Sequence, residues 1–260
     1  MRENKVKRAL GQGGVSLGTM IFEFNTTGAA RLTAASGAEF AIFDMEHTGW
    51  TMETVRMLMA TSGAADLVPL VRVPAAQYHF IARVLDVGAM GFMVPMVETE
   101  EQAQLIAQSA KYPPAGRRGA AFGFAHDNYQ AGDILGSMHS ANQEGLVIAQ
   151  IETAVGLENV ERIAAVEGID VLWIGQFDLS NFLGIPGQFD HPRFQRALGR
   201  VLDACQRYGK AAGYMVTSVD EGCRLIDRGF RMIAYWGDMW VYQQGLRQGF
   251  RGMRERCRIK

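Results

Sequence analysis

The sequence predicts an α/β fold, a single (β/α)₈ TIM barrel, and three observations carry that prediction. The chain has 260 residues, close to the size of one such barrel. Eight short apolar runs alternate with eight amphipathic stretches, the order expected of parallel βαβ units. Residues with catalytic potential follow several different strands, and no G-x-G-x-x-G turn follows the first strand. Both facts favour a barrel over an open, doubly wound sheet.

The eight predicted strands are nearly continuous in apolar residues, which is typical of parallel strands covered on both faces. In chain order they are Val15–Ile21, Phe40–Asp44, Leu67–Val73, Gly91–Pro95, Leu146–Ile151, Val171–Gly175, Ala211–Val216 and Phe230–Ala234. The predicted helices, assigned from their amphipathic spacing, are Thr27–Ser36, Thr51–Ser62, Ala76–Val87, Glu100–Lys111, Val155–Val166, Pro192–Tyr208, Val219–Arg228 and Asp238–Gln248.

One segment, residues 112–143, interrupts the alternation. It begins YPPAGRRGAAFGFA and contains one predicted helix around Ile134–Asn142. A connection of this length inside a compact domain is usually a lid or a subunit contact. No linker or repeat divides the chain, so residues 1–260 are expected to form one domain. Its basic tail, RQGFRGMRERCRIK, is expected to be solvated or to pack against another subunit.

Charge and cysteine content argue against several classes of protein. The formal net charge is −1, and no apolar run approaches the roughly 20 residues of a membrane span, so neither nucleic acid nor a membrane is an expected partner. The basic N-terminal segment is followed by glycines rather than by an apolar secretion segment, and the expected compartment is the cytoplasm. The three cysteines form no C-x-x-C pair and are expected to be reduced thiols.

The first candidate residues follow the second strand, in FDMEHTGW. His47 can act as a base near neutral pH, because an unperturbed histidine has a pKa of about 6.5. A structural histidine that caps the loop is an equally open interpretation. Asp44 and Glu46 would point to opposite faces if the strand continued, so they are not expected to act as a pair.

Arg72 ends the third strand, in VPLVRVP, at the same rim of the predicted barrel. Its guanidinium offers a fixed fork of donors to an oxyanion or a carboxylate. An arginine in this position needs a buried partner, since an isolated buried charge is costly. The alternative to a functional role is an ion pair with Glu46 or another neighbour.

Glu152 and Asp178 follow the fifth and sixth strands, in QIET and IGQFDLS. Two carboxylates, with water and a chelating substrate, suit a hard divalent cation such as Mg²⁺ or Mn²⁺. Each of them could instead cap a helix N-terminus. Gln150, two residues before Glu152, would point the same way and is expected to bind a water or the substrate.

Other routes to catalysis fit less well. A Schiff-base aldolase needs a lysine at a strand end, and the lysines, at positions 5, 7, 111, 210 and 260, end no predicted strand. The sequence also contains no G-x-S-x-G turn and no phosphate-binding glycine-rich loop before a helix. Metal-assisted chemistry is therefore the favoured interpretation.

These motifs, in this order, resemble those of the HpcH/HpaI aldolases, a family of class II, metal-dependent 4-hydroxy-2-oxo acid and 2-keto-3-deoxy sugar acid aldolases. The matching blocks are FDMEH, VRVP, LDVGAMGFMVPMVET, YPPAGRRG, QIET and IGQFDLS, which cover roughly residues 15 to 235. The resemblance implies a barrel of the phosphoenolpyruvate/pyruvate type. It also implies a homohexamer, a trimer of dimers, in which the eighth helix is exchanged between subunits.

The resemblance implies roles for individual residues as well. Glu152 and Asp178 match the family's ligands for a divalent cation (Mg²⁺, Mn²⁺ or Co²⁺), and Arg72 matches its enolate-stabilising arginine. His47 matches the histidine that works with a metal-bound water as acid/base, so either of the two could be the base, and Asp86, in LDVGA, matches the acidic partner of that histidine. The expected substrate contacts are Arg72, Gln150, Phe177 and Met215.

Two points qualify the match. Asp86 ends the predicted helix after the third strand, about a helix length away from His47, at the other end of the barrel. We therefore expect Asp86 to serve the His47 of a neighbouring subunit, which makes the oligomer part of the site. The turn before Asp178 departs from the family's IGPxDLS because Gln176 and Phe177 stand in it, and this leaves the size of the acceptor pocket open.

The expected reaction is aldol cleavage. A 4-hydroxy-2-oxo acid or 2-keto-3-deoxy sugar acid would give an aldehyde and, by way of a metal-stabilised enolate, pyruvate. Two alternatives stay open. One is a lyase acting on malyl- or citramalyl-type CoA thioesters, although the presence of His47 directly after Asp44–Glu46 argues against this activity. The other is a non-catalytic barrel of the same family.

Overall fold

Eight parallel strands close a barrel in chain order, with β1 paired to both β2 and β8, as the sequence predicts. The computed structural model describes residues 2–130 and 132–258. The eighth strand is displaced from its predicted range because its register follows its pairing with β1 and β7. The strands are β1 (Ser16–Ile21), β2 (Phe40–Asp44), β3 (Val68–Arg72), β4 (Gly91–Val94), β5 (Leu146–Ile151), β6 (Val171–Ile174), β7 (Ala211–Val216) and β8 (Met232–Gly237).

The surrounding helices follow the predicted order, with additions. They are α1 (Lys5–Gly11), α2 (Ala29–Ala35), α3 (Met52–Ser62), α4 (Tyr78–Asp86), α5 (Glu100–Ala110), α6 (Ile134–Glu144), α7 (Ala154–Glu158), α8 (Val160–Ala165), α9 (Gln176–Phe182), α10 (Pro192–Tyr208), α11 (Val219–Arg228) and α12 (Asp238–Cys257), with a 3₁₀ turn at Ala125–Asp127. The sequence pattern does not predict α1 or α9, and α12 continues beyond its predicted end at Gln248. The predicted helix Val155–Val166 is two helices, because the chain bends at Asn159, whose side-chain amide donates to the carbonyl of Glu98 at 2.8 Å.

Alternate side chains of each strand fill the interior of the barrel. This inner core includes Phe40, Leu70, Ile148 and Trp173, and the opposite strand faces pack against the helices in a second core. A Cβ at Gly213 would lie 2.2 Å from the Trp173 ring, so the inner core admits no larger residue there. The inward alternation on β2, β3 and β5 ends in Asp44, Arg72 and Gln150, which therefore form the layer beneath the open rim.

Helix α1 closes the amino-terminal end of the barrel. Val6 belongs to the inner core. The buried side-chain amide of Asn4 donates to the carbonyls of Met90 and Glu144, at 2.9 Å each. The carboxylate of Glu144 accepts the backbone N–H of Asn4 at 2.6 Å. With this end sealed, access to the interior is from the carboxyl ends of the strands.

The first turn of α12 contacts the barrel through Asp238 and Trp240, but none of the residues of α12 is buried. A groove of about 480 Å³ lies over the outer faces of β1 and β8 and beside α2. Its lining includes Leu17 and Leu32, which are 50% and 68% exposed. Across residues 2–130 and 132–258, no helix combines the length and apolar character that a bilayer span requires.

Candidate active site

Two carboxylates hold Arg72 at the open rim. Strand register pairs Arg72 directly with Asp44, and Nε of Arg72 donates to Oδ1 of Asp44 at 2.5 Å. Nη1 of Arg72 lies 3.0 Å from Oε2 of Glu46. Asp44 is fully buried and Arg72 is 6% exposed, so this is a buried charge cluster rather than a surface salt bridge. Nε thus donates a hydrogen bond to Asp44, and Nη1 forms an ion pair with Glu46.

Asp44 also shapes the turn that carries His47. Its Oδ1 accepts the backbone N–H of Glu46 at 3.1 Å, and its Oδ2 accepts that of His47 at 2.9 Å. Because β2 ends at Asp44, this turn brings Glu46 back onto Arg72 instead of directing it to the opposite face. The expectation that Asp44 and Glu46 do not act as a pair is therefore wrong: both bind the same guanidinium.

The imidazole of His47 lies at the mouth of the barrel. Its side chain is 58% exposed, and Nε2 lies 3.6 Å from Oε2 of Glu46, beyond ordinary hydrogen-bond distance. The turn is capped by the Asp44 carboxylate and not by the imidazole, which leaves the His47 ring accessible to a substrate. Glu46 lies between His47 and Arg72 and so connects the two side chains.

Glu152 follows β5 and is 1% exposed. Its Oε1 accepts the backbone N–H of Met96 at 2.7 Å, and its Oε2 accepts Nε2 of Gln150. Met96 has a φ of 55°, a left-handed conformation that is costly for a residue with a side chain, so the turn after β4 is held in an unusual form beside this carboxylate. The Oε1 atom of Gln150 is buried with no hydrogen-bond partner, which leaves it to accept from a water or a substrate hydroxyl.

Asp178 lies in the first turn of α9, close to Glu152. A Cβ at Gly175, the residue before α9, would lie 2.3 Å from Oε2 of Glu152, so only glycine allows this close approach. Thr153 caps α7 and Gly175 precedes α9 without a side-chain cap, so neither Glu152 nor Asp178 serves as the N-cap of its helix.

The carboxylates of the site act on one another. The pKa of Glu152 is raised to about 7, chiefly by burial; the hydrogen bond from Met96 opposes this shift, and the charges of Glu46 and Asp178 contribute to it. Burial also raises the pKa of Glu46, although the charges of Arg72 and His47 oppose that shift. Negative charge therefore accumulates at the rim, with Arg72 as its partner, and this environment favours an added cation.

The described residues supply some of the oxygen ligands that a hard divalent cation needs. Among the described residues, no group of three or more His, Cys, Asp or Glu side chains is arranged to hold a metal ion. Glu152 and Asp178 offer two carboxylates whose mutual repulsion a cation would relieve. Oxygen ligands from water and from a chelating substrate would complete the coordination that such ions take. The residues present therefore fit a cation bound together with its substrate.

The structure does not bring Asp86 to His47 within one chain. Asp86 ends α4, which runs from the open rim back to the sealed end, and its Oδ1 accepts Nη2 of Arg118 at 2.6 Å. Arg118 is itself buried and lies over the ring of Tyr112, 4.7 Å from the ring centroid. The carboxylate is thus anchored to the segment 112–130 rather than to its own active site.

The side chains of Gln176 and Phe177 make different contacts. Nε2 of the buried Gln176 donates to the carbonyl of Met215 at 3.0 Å, and the Met215 side chain belongs to the inner core. The ring of Phe177 is 53% exposed and packs edge-on against Phe189, with centroids 5.4 Å apart. Phe177 thus directs its bulk toward Phe189, and its contact with substrate stays a prediction.

Asp238 is a residue that the sequence interpretation missed. Its carboxylate accepts the backbone N–H groups of Phe22, Glu23 and Phe24 at 2.9, 2.9 and 2.6 Å, which fixes the turn after β1. The Phe22 ring lies 5.9 Å from the guanidinium carbon of Arg72 and packs edge-on against Trp240. In the sequence, the only signal for this capping role is the position of an aspartate directly after the eighth strand. The backbone N–H groups that it binds lie more than two hundred residues earlier in the chain.

Comparisons with known proteins give a consistent result. The sequence model of the family described as HpcH/HpaI aldolase/citrate lyase matches residues 21–240. A 4-hydroxy-2-oxovalerate aldolase of Novosphingobium aromaticivorans is 37% identical over 256 residues, covering 97% of this chain and 95% of the relative. A 5-keto-4-deoxy-D-glucarate aldolase of Escherichia coli (strain K12) is 32% identical over 241 residues, covering 92% and 93%. The crystal structure of an HpcH/HpaI aldolase from Desulfitobacterium hafniense DCB-2 is similar with a TM-score of 0.92, at 30% identity and 96% coverage of each chain.

Proposed function

Because the chain belongs to the HpcH/HpaI aldolase/citrate lyase family and is a carbon–carbon lyase, we propose that it cleaves a 4-hydroxy-2-oxo acid or 2-keto-3-deoxy sugar acid to pyruvate and an aldehyde. The reaction would take place in the cytoplasm and depend on Mg²⁺, Mn²⁺ or Co²⁺. The observation that supports this most strongly is the pair of carboxylates, Glu152 and Asp178, at the same open rim as the buried guanidinium of Arg72.

Arg72 and the two carboxylates would bind the 2-oxo acid end of the substrate. Glu152 and Asp178 would hold the cation, which when bound supplies Lewis acidity to the keto oxygen and the neighbouring carboxylate. Nη2 of Arg72 would donate to the keto oxygen as it gains negative charge. Asp44 and Glu46 already fix the guanidinium, so the donor is in place before the reaction and no reorganisation is needed.

His47 would take the proton of the C4 hydroxyl. The C3–C4 bond then breaks, its electron pair remains on C3 as the pyruvate enolate, and C4 becomes the aldehyde carbon. Transfer of that proton from His47 to C3 then releases pyruvate and restores the neutral imidazole. Glu46, 3.6 Å from Nε2 of His47, would stabilise the imidazolium formed in the first step.

Removal of divalent cations tests the proposal directly. After exhaustive treatment with EDTA, cleavage of a 4-hydroxy-2-oxo acid is expected to fall by at least about 100-fold, because the keto oxygen loses its Lewis acid. Addition of Mn²⁺, Mg²⁺ or Co²⁺ should restore pyruvate release. EDTA saturated with Mg²⁺ beforehand is the control, and full activity in protein shown by elemental analysis to be free of these metals would overturn the proposal.

We also propose that the active enzyme is an oligomer, a hexamer built as a trimer of dimers, with α12 exchanged between barrels. Helix α12 buries no residue and carries an apolar stripe at helical spacing, formed by Tyr242, Leu246, Phe250 and Met253. The groove lined by Leu17, Leu32 and Tyr235 is an apolar surface where a barrel of this type would hold a helix. Exchange of α12 between subunits would cover both the apolar stripe of the helix and the apolar groove of the barrel.

In such an oligomer Asp86 would approach the His47 of a neighbouring subunit. His47→Ala and Asp86→Ala variants are each expected to be inactive alone. Mixed by co-expression at equal amounts, they should regain about a quarter of wild-type activity, because a quarter of the sites would then combine an intact His47 with an intact Asp86. The control mixture is His47→Ala with Arg72→Ala, two residues of the same subunit, which should regain none. Absence of recovery from the first mixture would contradict a site shared between subunits.

A further inference from the structure

A second cavity lies at the sealed end of the barrel, away from the candidate active site. It has a volume of about 570 Å³ between α5, α8 and the start of β6, and its lining includes Lys7, Gln108, Lys111, Asn142 and Asp170. Two of the chain's five lysines thus face one cavity. The proposed aldolase reaction uses neither of them.

The two lysines have unequal partners. Nζ of Lys7 donates to Oδ2 of Asp170 at 2.9 Å and to the carbonyl of Gly145 at 2.7 Å. The same Asp170 oxygen also accepts the backbone N–H of Val147 at 2.8 Å. Among the residues that the structure describes, the carbonyl of Asn142 alone accepts a hydrogen bond from Nζ of Lys111, and Lys111 is 8% exposed. The carboxylate of Asp170 therefore serves Lys7, and Lys111 is left with a neutral partner. Glu100 and Glu167 also line the cavity, and Glu100 is paired with Arg162.

These surroundings disfavour the charged form of Lys111. The pKa of Lys111 is lowered to about 8, chiefly by burial; the positive charges of Lys7 and, to a smaller extent, Arg118 contribute to this shift, and Asp170 opposes it. At pH 7.5 such a pKa leaves roughly a quarter of the amine neutral, against about one in a thousand at the ordinary value of 10.5. A neutral primary amine on the wall of a cavity is a nucleophile.

We propose that the amino group of Lys111 reacts with carbon dioxide to form a carbamate. The nitrogen lone pair forms the N–C bond, one C=O electron pair moves onto oxygen, and the amine proton leaves to solvent. The product is an anion beside the ammonium of Lys7, so a repulsive pair of cations becomes an ion pair. Carbon dioxide is small and uncharged, which lets it reach an amine that is almost fully buried, and the cavity has room for the carboxylate that results.

Carbon-13 NMR with labelled carbon dioxide tests this inference. At a fixed concentration of dissolved carbon dioxide, the wild-type protein should show a carbamate resonance that grows from pH 7 to pH 8.5. K111R should lose it, because arginine keeps the cation and a donor for the Asn142 carbonyl but does not form a carbamate. K7M should reduce it at least fivefold, because the amine regains a higher pKa and the carbamate loses its ion pair.

The matched control is K210R. Lys210 is also partly buried, and its Nζ donates to the carbonyl of Val166, but it does not line the cavity, so this variant should keep the resonance unchanged. Trapping with a trialkyloxonium salt, followed by peptide mass spectrometry of the wild-type protein, should place the label on Lys111. A carbamate on the α-amino group gives a separate resonance that K111R retains. The inference is overturned if K111R removes no resonance or if trapping labels Lys111 no more than Lys210.

Discussion

Replacing Arg72 by alanine is expected to lower kcat/KM for aldol cleavage by roughly 10²–10³-fold, because a donor aimed at the developing oxyanion is lost. The same change should lower the free energy of unfolding by about 3–5 kcal/mol, since it leaves the fully buried carboxylate of Asp44 without its cation. Pyruvate release and a urea unfolding curve measure the two effects.

Two further variants separate the roles of Arg72. Arg72→Lys keeps a positive charge near Asp44 but not the fork that binds Asp44 and Glu46 together, so it should retain most of the stability and little of the activity. Arg162→Ala removes an exposed salt bridge to Glu100 on the helical surface and should cost less than about 1 kcal/mol, with activity unchanged. Wild-type activity in Arg72→Lys would show that the guanidinium fork is not required.

Glu152→Gln is expected to abolish measurable cleavage, with a loss of roughly 10³-fold or more, because the cation loses a charged ligand while the shape of the side chain is kept. Oε1 of the new amide still accepts the N–H of Met96, so the variant should fold. Isothermal titration with Mn²⁺ should show affinity reduced by at least about 100-fold. Glu53→Gln, at an exposed position on α3, is the matched control and should bind Mn²⁺ as the wild type does.

The effect of Glu152→Gln can also be measured through the pH dependence of protein stability. In cation-free wild-type protein the pKa of Glu152 is about 7, above its ordinary value of 4.5, so the folded state binds the proton more tightly. This stabilisation is complete below pH 4.5 and is lost as pH rises through 7, for a total of up to about 3 kcal/mol. Cation-free protein should therefore melt at a lower temperature at pH 8 than at pH 6, and Glu152→Gln should flatten that difference. An unchanged pH dependence in the variant would assign the effect to another group.

Several parts of the site depend on contacts that no local pattern reports. Whether β2 continued past Asp44 or turned there decided whether Glu46 faced Arg72, and the sequence left both outcomes open, including the Arg72–Glu46 ion pair that the structure shows. The capping role of Asp238 depends on barrel closure, which joins β8 to β1 across more than two hundred residues. The left-handed turn at Met96 and the close approach of Gly175 to Glu152 likewise involve separate strands.

The sequence by itself determined the barrel and the rim at which Arg72, Glu152 and Asp178 lie. It does so because buried parallel strands must be apolar on both faces, and because side chains alternate with a period of two along a strand. Only the tertiary structure decided which charges are paired and which stay uncompensated, because pairing depends on the register between strands. Burial then sets the cost of each charge: it leaves Glu152 with a raised pKa at the open rim and Lys111 with a lowered one at the sealed end.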